Sequence, residues 1–334
     1  MLERGGNMNY VRLGNTGTKV SQLCLGCMTY GDVRTGTHAW VLDEKASRPF
    51  YARAIEAGIN FFDTANIYSL GTSEEFLGRA LRELGCKRED LVIASKLHNP
   101  LRKTPNAQGL SKKAVVFECE ESLRRLGMDY IDLYQIHRYD HETPLEETLE
   151  ALDGLVRAGK VRYLGASSMW AYELGRALAL QSRNRWAPFV TMQPHYNLLY
   201  REEEREMLRL CREERLGVLP WSPLARGRLA RPSGKAHTKR DTTDVFAKKL
   251  YAATEESDRE IIVAVEKVAA ARGVSMAQVA LAWVRQQPGI TAPIVGATKL
   301  SHLDDAIASL AVTLAPEELR ALGAPYVPHA VAGF

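Results

Sequence analysis

No stretch of the 334-residue chain approaches the roughly 18 consecutive apolar residues of a membrane-spanning helix, so no membrane partner is expected. The first ten residues, MLERGGNMNY, lack the apolar centre of a secretory signal, and a cytoplasmic protein is expected. Residues 1–8 show no structural pattern and are expected to be disordered, with residues 9–334 forming a single domain. Cysteine is scarce: Cys24, Cys27, Cys86, Cys119 and Cys211 form an odd, scattered set, which suits free thiols in a reducing compartment. Cys24 and Cys27 make a lone CxxC without the second pair a zinc site needs, and no metal is expected. A glycine-rich GxGxxG turn is missing, which disfavours a doubly wound dinucleotide fold. GLVRAGK (Gly154 to Lys160) fits GxxxxGK, but Val161 stands where a phosphate loop has Ser or Thr, and the segment reads as a helix C-cap. Charge of one sign is also missing. The 44 basic and 40 acidic residues are interspersed, and the nearest basic cluster is KAHTKR (Lys235 to Arg240), so no nucleic-acid partner is expected.

What the chain does have is cadence. Eight short apolar runs read as strands: Gln22 to Gly26, Ile59 to Asp63, Leu91 to Lys96, Tyr130 to His137, Val161 to Ser167, Phe189 to Gln193, Gly217 to Ser222 and Ala292 to Ala297. Amphipathic segments separate them. SKKAVVFECEESLRRLG has a Ser cap and a closing Gly; PLEETLEALDGLVRAGK has Pro in its first turn and acids near its start. Thr72 or Ser73 is expected to cap the helix after the second run. Near-continuous apolar strands alternating with helices imply a parallel sheet, and eight such units imply one α/β (β/α)8 barrel. Ahead of it, YVRLGNTGTKVS reads as a hairpin turning at Gly14 to Gly17 and closing the barrel bottom.

Catalytic groups of such barrels come from the C-terminal strand ends. Here those ends carry Asp63 with Tyr68 in its loop, Lys96, His137, Ser167 with Ser168, Gln193, Trp221 with Ser222, and Gly296 to Lys299. Each has a structural alternative: Asp63 and Lys96 as an ion pair, His137 as a core histidine, Tyr68 as a rim cover. Four ionisable groups on consecutive strands at one end favour a site.

INFFDTANIY, IASKL, YIDLYQIHRYD, GASS, QPHYN, WSPL and APIVGATK stand in the order found in aldo-keto reductases, and the chain resembles that family from about Tyr10 onward. LGCMTYG, QIHRYD, YNLLYREEEREML and SPLARGRL resemble a bacterial branch near its potassium-channel β-subunit-like and aryl-alcohol-dehydrogenase-like members. The resemblance implies a catalytic tetrad of Asp63, Tyr68, Lys96 and His137, and reduction of an aldehyde or ketone. Tyr68 would be the general acid, with Lys96 lowering its pKa, Asp63 holding Lys96, and His137 orienting the carbonyl. It also implies a nicotinamide cofactor at Gly26, Cys27, Met28 and Asp63; Ser167, Ser168 and Gln193 for the carboxamide; Trp221 as stacking platform; Ser222, Pro223, Leu224, Gly227 and Arg228 for the pyrophosphate; and Gly296, Thr298, Lys299, His302 and Asp305 for the adenosine. Ser168, Ala306 and His302 depart from the family's usual Asn, Asn, and Gln or Arg. Lys299 still offers a phosphate partner, so NADPH is expected over NADH. Tyr30, Tyr68, His98, Arg138, Trp170 and Trp221 are candidates to line a pocket for an aromatic or small polar aldehyde. Arg138 suits either an anionic substrate group or a structural ion pair. The polar segment Ala230 to Thr254 is expected to close over the cofactor. Three other readings stand beside this one: a regulatory module like the channel β-subunits, with slow residual turnover; a Schiff-base enzyme using Lys96, against which Asp63 would keep that amine charged; and a thiamine-diphosphate-dependent synthase of 1-deoxyxylulose 5-phosphate, for which the sequence has no cofactor motif. The sequence gives no signal for oligomeric state.

Overall fold

The structure, a computed structural model, describes residues 8–35, 38–232 and 243–333. Residues 1–7 and the KAHTKR cluster lie outside them. Met8, expected to be disordered, packs against Gly58 and the edge of the core. The hairpin comprises β1 (Tyr10–Arg12) and β2 (Lys19–Ser21), antiparallel with Val11 opposite Val20. Eight parallel strands follow: β3 (Cys24–Gly26), β4 (Phe61–Asp63), β5 (Val92–Leu97), β6 (Ile131–Ile136), β7 (Val161–Ser167), β8 (Phe189–Gln193), β9 (Gly217–Val218) and β10 (Ile294–Val295). Neighbours pair in chain order, and β10 returns to β3. The sheet closes into a barrel where Val218 bridges Ile290 and Ile294 N–H donates to the Pro220 carbonyl at 2.9 Å.

All eight expected strands are present, and the last two are cut back furthest, to two residues each. The reason is proline, which has no N–H to give a ladder. Pro220 follows β9 and Pro293 precedes β10, and each contributes only its carbonyl.

The period-2 alternation of a strand sorts side chains between two cores. Phe61, Val92, Ala94 and Leu133 fill the barrel interior with Leu13 and Val20 of the hairpin. Phe62, Ile93, Tyr134 and Ile136 face outward to the helices. The hairpin does close the barrel bottom. Gly14, at φ +59°, lies so close to the strands that a Cβ there would stand 2.4 Å from the Val190 carbonyl oxygen. Only glycine fits that approach and that backbone region together.

The helices form the outer layer: α1 (Glu44–Glu56), α2 (Thr72–Glu83), α3 (Lys112–Leu126), α4 (Leu145–Arg157), α5 (Ala171–Asn184), α6 (Met207–Glu213), α7 (Val245–Tyr251), α8 (Glu255–Arg272), α9 (Met276–Arg285), α10 (Leu300–Ala308) and α11 (Pro316–Gly323). Ser111 caps α3 by accepting from Ala114 N–H, and Gly127, left-handed, ends it. Pro144 sits at the N-cap of α4 rather than within its first turn. Neither Thr72 nor Ser73 caps α2. Gly71 occupies that position, and the two hydroxyls instead tie loops together: Thr72 to Ser69 and Asp32, Ser73 to the Cys27 carbonyl. The segment expected to be irregular from Ala230 to Thr254 contains α7, capped by Asp244; residues 233–242 lie outside the described residues.

Candidate functional site

The alternation that packs the barrel interior also builds its upper end. Asp63 is two residues beyond Phe61, Lys96 two beyond Ala94, and Gln135 two beyond Leu133, so all three share the inward face. Lys96 is fully buried and ion-pairs with buried Asp63. Its ammonium also donates to the Thr64 carbonyl at 2.9 Å and to the Tyr68 hydroxyl at 3.3 Å. The second Asp63 oxygen accepts from Gln135 at 3.1 Å and Gln193 at 3.0 Å. Lys96 thus spends its charge between one carboxylate and one phenol.

Tyr68 reaches this position because the loop after β4 reverses sharply. Ser69, Leu70 and Gly71 all have positive φ, and the chain folds back over the barrel mouth before α2 begins. His137 follows β6, with its N–H bonded to the Leu97 carbonyl at 2.9 Å. Its ring stands edge-on to Tyr68, centroids 5.7 Å apart. Asn99 Nδ2 faces His137 Nδ1 at 3.4 Å, so Nδ1 accepts and Nε2 carries the proton of the neutral ring.

Burial pushes the Tyr68 phenol above its ordinary pKa, with Lys96 pulling it down and Asp63 pushing it up. The net depression expected from Lys96 is therefore absent: the ammonium acts in the expected direction, but burial outweighs it. Burial drives the Lys96 ammonium down, Asp63 and Tyr68 draw it up, and the net shift is upward. Burial, then the charges of Lys96 and Arg138, holds His137 well below the usual histidine range, so it is neutral at physiological pH.

These groups open onto a cavity of about 1070 Å³ at the barrel mouth. Tyr68, Asp63, His137, Arg138, Ser167, Gln193 and Trp221 line it, as do Gly296, Thr298, Lys299, His302 and Asp305. Gly26, Met28, Ser222, Pro223, Leu224 and Gly227 belong to the same lining. Trp221 has its indole stacked on His195 at 4.2 Å, and His195 stacks in turn on Tyr200 at 4.3 Å. Burial lowers the His195 pKa to about 3, so this sandwich is uncharged.

Seven expected site residues do not line the cavity; one is Lys96, fully buried behind Asp63 and Tyr68. Cys27 belongs to the outer core. Tyr30 is fully buried against Phe50 and Tyr51, because the short turn over Cys27–Thr29 directs it under α1. Ser168, at φ +46°, is buried and accepts from Trp221 Nε1 at 3.1 Å, positioning the indole rather than facing the cavity. Arg228 lies over the Tyr251 ring. His98, at an unusual φ of 142°, is likewise not among the lining residues. Trp170 caps α5, largely in solvent. Among the lining residues that the sequence did not point to are Arg226, Phe246, and the stacked pair His38 and Trp40. An aromatic pair in THAWVL, just after the first strand, was the available signal. Among the described residues, no cluster of three or more His, Cys, Asp or Glu could hold a metal, and no helix is long and apolar enough to cross a membrane.

Residues 22–324 match the aldo/keto reductase family. The chain belongs to that family. This reductase is 44% identical over 342 residues to versiconal hemiacetal acetate reductase of Aspergillus parasiticus, covering 97% of this chain and 98% of that one. It is 43% identical over 341 residues to aldo-keto reductase AMT2 of Alternaria alternata, covering 95% and 91%. A Saccharomyces cerevisiae protein provisionally named an aryl-alcohol dehydrogenase is 41% identical over 338 residues, covering 96% and 97%. These relatives are fungal, on the aryl-alcohol-dehydrogenase side of the expected resemblance rather than the bacterial channel β-subunit side. The reductase is thus an oxidoreductase of small carbonyl compounds.

Proposed function

We propose that the reductase uses NADPH to reduce an aldehyde or ketone, with Tyr68 as general acid. The observation that carries this reading is the buried relay from Asp63 through Lys96 to the Tyr68 hydroxyl, which opens beside neutral His137 on one cavity wall. A phenol held above its ordinary pKa keeps its proton through neutral pH, as a donor must. Once that proton moves to the carbonyl oxygen, the ammonium of Lys96 stabilises the phenolate left behind. His137 Nε2–H is the donor that orients the same oxygen.

The cavity suits a dinucleotide. Gly227 has φ +101° and open space where a Cβ would point, leaving the backbone approachable. The N-terminus of α10 has no side-chain cap and no acid in its first turn, and Lys299 stands exposed at its N-cap. Free N–H groups beside a lysine favour a phosphate, which supports NADPH over NADH. Ser167 already donates to the Gln193 carbonyl, and Gln193 Nε2 donates to Asp63. Both therefore offer acceptors, suited to the N–H groups of a carboxamide. Trp221, backed by His195, would be the platform, with Ser222, Pro223, Leu224 and Gly227 along the pyrophosphate. When bound, the nicotinamide supplies the hydride. We take residues 9–334 to work as one catalytic domain, and the five free thiols suit the cytoplasm.

The test is loss of reduced-nicotinamide absorbance with p-nitrobenzaldehyde, comparing NADPH with NADH. Tyr68→Phe should lose roughly 10²- to 10⁴-fold in turnover while still binding cofactor. Wild-type turnover in that variant would remove Tyr68 as the acid. Cofactor binding without reduction of any carbonyl would favour the regulatory reading.

A further inference from the structure

Arg138 follows His137 and lines the cavity beside Tyr68. The sequence left two roles open for it, and the structure separates them. A structural ion pair is absent: among the described residues, no carboxylate pairs with its guanidinium. Its side-chain hydrogen bond runs from Nη1 to the His137 carbonyl oxygen at 2.8 Å. A guanidinium has five N–H donors, so most of this one's capacity is unspent. The contrast in the same cavity lining is Arg226, which pairs with Asp244 at 2.7 Å in a buried contact. Lys96, behind the wall, is likewise matched by Asp63.

A cation drawn into protein without a counter-ion is costly, and burial already pulls the Arg138 pKa below its ordinary value. The cost is relieved if an anion arrives with a ligand. The guanidinium fork fits the two oxygens of a carboxylate or phosphate. Its neighbours Tyr68 and His137 fix where the reacting carbonyl lies, so that anion belongs to the same small molecule. We propose that Arg138 binds an anionic group of the substrate, and that the preferred substrates are aldehydes or ketones carrying a carboxylate or phosphate near the carbonyl. This rests on the reductase reading above.

The test uses matched pairs with NADPH: p-formylbenzoate against its methyl ester, and glycolaldehyde phosphate against glycolaldehyde. The expected result is a higher kcat/KM for the anionic member of at least one pair, and the pair that shows it identifies the group. In Arg138→Gln that preference should fall by roughly 10- to 100-fold, the value of a charge-assisted hydrogen bond. Arg138→Lys should restore part of it. The ratio within a pair is the readout, because the Arg138 charge also acts on Tyr68 and His137 and alters turnover of both members together. A second measurement needs no variant: benzoate should inhibit reduction of the neutral aldehyde competitively, and benzamide should not. Turnover without preference for either anion overturns the proposal and leaves the reductase reading standing. An unchanged ratio with a raised KM for NADPH in Arg138→Gln also overturns it, by assigning Arg138 to the cofactor's phosphates. Absence of turnover with every aldehyde overturns both readings.

Discussion

Replacing Asp63 with Asn changes one atom type and removes one charge from the centre of the barrel mouth. The Lys96 ammonium beside it has no exposure and, among the described residues, no other carboxylate within reach. Removing one partner of a buried pair costs about 3–5 kcal/mol, because the remaining charge stays desolvated. The new amide adds to the difficulty. Asp63 accepts from both Gln135 and Gln193, and an Asn NH2 facing either one sets donor against donor. Asp63→Asn should therefore lose about 3–5 kcal/mol in urea unfolding at neutral pH. Asp63→Asn with Lys96→Met, which removes both charges, should lose less than the single variant.

The pH dependence gives a sharper readout. In the wild type the folded Lys96 pKa is raised, so its stabilisation is complete below the unfolded value of about 10.4 and fades as pH rises through the folded value. In Asp63→Asn, burial has no opposing carboxylate and the folded pKa drops below about 10.4. Between the two values the unfolded chain then binds more protons, and stability rises with pH, by at most about 1.4 kcal/mol per pH unit. The two proteins should thus have slopes of opposite sign on the alkaline side. A loss below about 1 kcal/mol, the range of a surface pair, would refute the reasoning. So would a variant whose stability falls with pH as the wild type does.

Trp221→Ala should raise the Kd for NADPH by roughly 3- to 10-fold, the value of one aromatic stacking contact, measured by quenching of cofactor fluorescence. Gly14→Ala should destabilise the fold by about 1–3 kcal/mol in thermal unfolding, since its Cβ would meet the Val190 carbonyl and its φ is left-handed; an unchanged Tm would mean the hairpin tip does not seal the barrel. The pH profile of kcat/KM for a neutral aldehyde should show no inflection from His137 between pH 6 and 8, because burial and two cations hold it far below about 6.5. A break near that value would mean the ring is charged when it works.

The fold was legible because barrel strands are buried on both faces and interrupted at regular intervals by capped helices. Ser111 and Gly127 mark the same helix ends in sequence and structure. The four ionisable site residues were legible because each closes an apolar run or follows one closely. Gln135 was not, although it stands two residues before His137 on the same inward face; a glutamine inside a strand reads as polar interruption until its neighbours are known. Tyr30 and Trp170 failed for the opposite reason. An aromatic residue near a strand end gives no hint of which way its loop turns. Lys96 pulls on the Tyr68 phenol in the expected direction, but the net shift was not legible because the sequence supplies the cation and not the depth of burial.

The hairpin tip that seals the barrel has a consequence for the order of assembly. Leu13 and Gly14 are made well before Val190 and Gly217, yet Gly14 rests on both. The seal is a long-range contact that no early fragment can form, and contacts of that kind slow folding. A nascent chain halted before β8 would leave Leu13 and Val20 uncovered, open to chaperones and proteases. Completion of the last strands would then bury the first turn and hide that signal.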